Sequence, residues 1–118
     1  MYNDDNIFAK ILSKKIPCKL IYENDFALAF YDIFPKSKIH ALVIPKGKYL
    51  TFLDFTSTAS LNEVQGFFAA LKETTELLNL PNGFRVISNT GKDGGQEVPH
   101  FHMHILGGED LGPLIRKP

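Results

Sequence analysis

Apolar residues recur near a helical period in two stretches of the chain, cluster in a third short stretch, and alternate with polar residues, or run continuously, in five others. Ile7, Phe8, Ile11 and Leu12 make one stripe of a helix, and Asp4, Asp5 or Asn6 can cap it. Lys14 and Lys15 suit its C-terminal end, and Pro17 stops it. Residues 19–23 and 26–31 read as strands joined by a tight turn at Asn24-Asp25. A Pro-containing loop over 32–38 leads to a third strand over 39–44, closed by Pro45. Residues 49–55 are apolar and have room for one helical turn. Ser57, Thr58 or Ser60 can cap the long helix that follows, and Ser60 with Glu63 has the spacing of a capping box. Its stripe is Leu61, Val64, Phe67, Phe68, Leu71, Thr75 and Leu78, wide enough for a sheet on one side and a second subunit on the other. Residues 84–89 form a fourth strand, and a fifth begins at Glu97 or His100 and runs to Leu106.

That order predicts an α+β fold: a mostly antiparallel five-stranded sheet with one long and one short helix. The length, 118 residues, suits a single domain over 1–118 with a sizeable core. Thirteen basic and thirteen acidic side chains cancel, so overall charge argues for neither nucleic acid nor an anionic membrane surface. An anionic ligand must then be held by local groups. Cys18 stands alone, which excludes an internal disulfide and a cysteine-rich zinc cage. The start is acidic and no membrane-length apolar run follows, so a reducing cytoplasmic setting is the expectation.

The chemistry concentrates in His100, His102 and His104, three of the four histidines of the chain. On a regular strand they share a face, with Phe101, Met103 and Ile105 behind it. A metal site is one reading, but three alternate residues span roughly 13 Å, too far for one ion to bind all three. Two of them with His40 or a carboxylate would be needed. A structural reading needs buried imidazoles that are all hydrogen-bonded. The third reading is a neutral imidazole acting as nucleophile on phosphorus. Gly91, Gly94 and Gly95 lie just upstream and let backbone N–H groups approach an oxyanion, and Asn89 adds an amide donor.

The run Asn89, Gly91, Asp93-Gly94-Gly95-Gln96, Val98, His100, His102, His104, Leu106-Gly107-Gly108 closely resembles the signature of histidine triad (HIT) nucleotide-binding proteins. The segments Ile7-Phe8-Ala9-Lys10-Ile11, Phe30 with Asp32-Ile33 and Pro35, and His40 with Leu42-Val43-Ile44-Pro45-Lys46 look like the same family. The likeness spans about residues 7–108, and the Gly107-Gly108 ending favours the purine nucleoside phosphoramidase branch over the dinucleoside polyphosphate hydrolases. The resemblance implies a HIT-like fold and a metal-free hydrolase without a cofactor. His102 would attack an α-phosphorus, His104 would hydrogen-bond the phosphate or leaving group, and His100 with His40 would fix the His102 tautomer. Asn89, Gly95, Gln96, Glu97 and Val98 would line the phosphate end. Asp32 would hold the ribose, with Ile7, Phe8, Ile11, Phe30 and Ile33 around the purine. Glu97 stands where some relatives have a serine, and the chain lacks the tryptophan that animal members place near the site from the partner subunit. The resemblance also implies a homodimer: two 13.3 kDa chains should scatter light as roughly 27 kDa, and a monomer at micromolar concentration would contradict this.

Overall fold

The computed structural model describes residues 1–116; Lys117 and Pro118, the last two residues of the expected domain, lie outside the described residues. The elements are α1 (Ile7–Leu12), β1 (Leu20–Glu23), β2 (Ala27–Tyr31), β3 (Ile39–Pro45), α2 (Phe52–Thr58), α3 (Leu61–Leu78), β4 (Phe84–Ile87) and β5 (Met103–Gly107). The five strands form one sheet in the order β1-β2-β3-β5-β4, and every neighbouring pair is antiparallel. The α+β expectation holds, with one more short helix than the pattern predicts. That helix, α2, is capped by Thr51, whose side chain accepts from the Asp54 N–H at 3.1 Å. Its Phe55 is buried against Phe67 and Phe101, which a single apolar run could not reveal.

Strand periodicity sorts the sheet into two faces. Ala27, Ala29, Ala41, Val43, Met103 and Ile105 face the helices, where Phe55 of α2 and Phe67, Ala70 and Leu78 of α3 join them in one core. The alanines matter because small side chains let the helix lie close to the sheet. Leu28, Phe30, Leu42 and Ile44 point to the opposite face and pack with Phe8 and Ile11 of α1. His40 shares that second face, being in step with Leu42 and Ile44. The short α1 therefore covers the half of the sheet next to the histidines.

Local signals behave as their chemistry requires. Asn6, rather than Asp4 or Asp5, caps α1 by accepting from the Ala9 N–H. Ser60 caps α3, and the reciprocal bond from Glu63 completes the capping box. The buried stripe of α3 is Phe67, Ala70, Thr74 and Leu78, narrower than the pattern suggests, while Leu61 and Phe68 are exposed.

The largest departure is at the histidines. β5 begins at Met103, so His100 and His102 precede the strand rather than lying in it. The ladder with β3 stops because Pro45 has no N–H to give and its carbonyl accepts from the His100 ring instead. The chain then turns away: the Phe101 N–H donates to the Tyr49 carbonyl at 2.7 Å, and the His100 N–H to that of Val98. β4 likewise ends at Ile87, short of Asn89, because its partner β5 starts only at Met103 and Ile87 already pairs with His104.

Candidate active site

β3 and β5 run side by side with Leu42 opposite His104, which leaves His40 diagonal to His104 on the same face. Their rings meet, with His40 Nε2 2.9 Å from His104 Nδ1. Between them, the loop after β4 and α1 lies a pocket of about 140 Å³. Phe8, Asp32, His40, Asn89, Gly95, Glu97, Val98, His102 and His104 line it, all of them expected from the sequence. A hollow of about 590 Å³ lies elsewhere, between the turn after α3 and residues 108–111. It holds no histidine and none of the convergent reactive groups that mark a catalytic pocket.

Two residues join the lining that sequence reasoning missed, Lys36 and Leu42. Lys36 could have been noticed as a cation in a short loop ending at a histidine. Leu42 carried only a core signal. Other expected residues do not reach the pocket wall. Phe30 and Ile11 are buried in the cluster with Phe8, so they support its ring rather than present a surface. Ile33, at 71% exposure, and Ile7 point outward, and Gln96 bonds the Leu50 and Val98 carbonyls to shape the loop. His100 is wholly buried and lies beneath the site.

Hydrogen-bond direction assigns the tautomers, since a carbonyl can only accept and an amide N–H can only donate. His102 Nδ1 lies 2.7 Å from the His100 carbonyl and so carries its proton there, leaving the Nε2 lone pair free. The Lys36 N–H donates to His40 Nδ1 at 3.0 Å, which puts the His40 proton on Nε2. That proton is shared between His104 Nδ1 and the Asp32 carboxylate, 3.5 Å away. His104 is thereby left with its own proton on Nε2. Two backbone groups thus set opposite tautomers on adjacent rings, one a lone pair and the other a donor. Of the two residues expected to fix the His102 tautomer, His100 does so through its backbone carbonyl, whereas His40 bonds His104 instead.

The electrostatics keep these rings neutral. Burial lowers the pKa of His102 and of His40 below the ordinary histidine value. Burial lowers His100 and His104 to about 4, and the neighbouring His102 adds to both shifts. A neutral imidazole with a free lone pair is the reactive form of the group. Phe8 packs edge-on to His102 with ring centroids 4.9 Å apart, holding the ring from the α1 side.

The glycine-rich loop closes the pocket. Gly95 has φ +75°, and a Cβ on Gly94 would lie 2.2 Å from the Thr90 carbonyl oxygen, so neither position accepts a side chain without rearrangement. The Asn89 side chain donates to the Gly94 carbonyl at 2.7 Å and ties the loop to the end of β4. Among the described residues, Asp32, His40 and His104 could converge on a cation, their ligand atoms lying within 4.8 Å of one another. Binding there would require His40 to give up the proton it shares with His104.

A HIT domain profile matches residues 13–111, most of the chain. The protein belongs to the HIT domain family. It is 45% identical over 117 residues to an uncharacterized HIT-like protein of Azospirillum brasilense, covering 98% of this chain and 96% of that one. It is 37% identical to a purine nucleoside phosphoramidase of Escherichia coli, covering 95% of this chain and 94% of that enzyme. A solved histidine triad protein from Clostridium difficile superposes with a TM-score of 0.84 at 38% identity, over 96% of this chain and 98% of that one. The HIT fold is thus shared at the level of the whole sheet, and the histidine cluster sits on the sheet face that carries α1.

Proposed function

We propose that this HIT protein hydrolyses the P–N bond of purine nucleoside phosphoramidates through a nucleotidyl-histidine intermediate. The observation that carries the reading is the His102 Nδ1–H on the His100 carbonyl, which frees Nε2 toward the pocket. Nε2 attacks the α-phosphorus, the P–N bond breaks, and the departing amine takes up a proton. The retained Nδ1–H leaves the phosphorylated ring cationic, and the carbonyl oxygen stabilises that charge as it develops. Water then attacks phosphorus, the Nε2–P bond breaks, a proton is released, and nucleoside monophosphate leaves.

His104 offers Nε2–H to a phosphoryl oxygen, and Asn89 and Gly95 line that end. Asp32 retains acceptor capacity for ribose hydroxyls, since a carboxylate has about four acceptor sites. Phe8 offers the purine an apolar surface, backed by Phe30 and Ile11, and Ile7 and Ile33 form the outer rim. The name of the E. coli relative supports the phosphoramidate assignment.

A homodimer belongs to the same reading. β4 is an edge strand with half-exposed Phe84, Val86 and Ile87, and α3 leaves Phe68 and Leu77 uncovered. The setting is cytoplasmic in this reading, in keeping with the single cysteine; among the described residues no helix is long and apolar enough to cross a membrane.

Turnover of adenosine 5′-phosphoramidate against diadenosine tetraphosphate tests the substrate class. The phosphoramidate should be preferred by at least about tenfold in kcat/KM, with activity surviving chelation. Preference for the tetraphosphate would move the protein to the polyphosphate hydrolases, and no turnover of either would leave a binding protein.

A further inference from the structure

We propose that Tyr2 is a positioning residue for the nucleophile, acting through His100; this rests on the catalytic reading of His102. The Tyr2 hydroxyl lies 2.5 Å from His100 Nδ1, and the two rings meet edge-on with centroids 5.5 Å apart. His100 Nε2 is 2.9 Å from the Pro45 carbonyl and must donate to it. Nδ1 is therefore an acceptor, and the tyrosine O–H is its donor. Both ring nitrogens of a fully buried imidazole are thus held, one from the sheet and one from the N-terminal segment.

The consequence for His102 follows from the chain. The His100 carbonyl is the group that holds the His102 Nδ1–H. Residue 100 lies before β5 begins, so no strand ladder holds that carbonyl in place. What fixes it is the ring of the same residue, together with the His100 N–H bond to Val98 and the Phe101 N–H bond to Tyr49. Displacement of the seated His100 ring would draw its Cα along and let the backbone dihedrals re-aim the carbonyl. The hydrogen bond to Tyr2 resists that displacement at Nδ1, as the Pro45 carbonyl does at Nε2.

The N-terminal segment is itself anchored well enough to act as a strap. The Asn3 carbonyl accepts from the Asn6 side chain at 2.8 Å, and Asn6 caps α1. Asp4 pairs with Lys48 at 3.0 Å, next to the Tyr49 carbonyl that holds Phe101.

Tyr2→Phe keeps the ring packing and removes only the hydroxyl. Its kcat for adenosine 5′-phosphoramidate should fall about tenfold, the rate equivalent of one ordinary hydrogen bond, with KM within about twofold. The melting temperature should fall by about 4 °C, the cost of one buried hydrogen bond in a chain of this size, and further in Tyr2→Ala, which also loses the ring. In ¹⁵N spectra of the imidazoles, His100 Nδ1 should move toward the position of an unbonded ring nitrogen and the His102 Nδ1–H signal should weaken. Unchanged kcat, a loss carried by KM, or unmoved imidazole resonances in Tyr2→Phe would overturn the assignment. If the wild-type protein does not turn over the phosphoramidate, the catalytic reading fails and the spectra alone decide whether Tyr2 holds the two rings.

Discussion

His102→Ala is expected to reduce hydrolysis of adenosine 5′-phosphoramidate by roughly 10⁴-fold or more, because it removes the atom that bonds phosphorus in the proposed route. The variant should still fold. His102 contributes an edge contact to Phe8 and one hydrogen bond to a backbone carbonyl, neither of which anchors the sheet. Rapid quenching of the wild-type protein with substrate should yield a chain heavier by one nucleotidyl group, attached at residue 102, and the variant should yield none. Hydrolysis that persists at the wild-type rate in a folded His102→Ala protein would falsify the covalent route. The pH profile adds a second check with a definite sign. Burial lowers the His102 pKa, so the free lone pair is fully present above the ordinary histidine value of 6.5. Activity should therefore be level as pH falls to 6.5 and decline only below it, as Nε2 becomes protonated. An acid limb centred above 6.5 would mean that the ring is charged in the folded protein, against its buried position.

His104→Ala is expected to cost about 10²–10³-fold in kcat, the usual loss for one preorganised donor to a developing phosphoryl charge. KM should change far less, because the Nε2–H bond strengthens in the transition state rather than in the bound substrate. The tautomer chain makes a finer prediction possible. Removing the His40 ring with His40→Ala leaves His104 in place but frees its proton to sit on either nitrogen, since nothing then donates to Nδ1. That variant should lose part of the His104 contribution, and the double variant should lose no more than His104→Ala alone. Full additivity of the two losses would show that His40 does not act through His104.

Much of this was legible before folding. The capping box at Ser60 and Glu63 and the α+β order depend on residues close together in sequence, so pattern alone reaches them, whereas α1 ends at Leu12, with Lys14 at φ +64°, well before the expected stop at Pro17. The histidine spacing, the glycines before it and the apolar spacers identify a family signature because the chemistry needs those residue types at those intervals. Asp32 and Phe8 follow only from the resemblance, and so does a role for His40 beyond a candidate metal ligand, since nothing in their immediate neighbours distinguishes them from core or loop residues.

Tertiary structure decided what the pattern could not express. Alternation from His100 to Ile105 reads as one strand, yet Pro45, more than fifty residues away in sequence, ends the ladder at Met103. Which atom of which histidine holds the proton depends on partners brought in from β3, the 32–38 loop and the N-terminus. The residue types needed for chemistry on phosphorus are written locally in the chain. The direction of each hydrogen bond, and with it the division of labour among four imidazoles, arises only when backbone groups distant in sequence are packed against one face of the sheet.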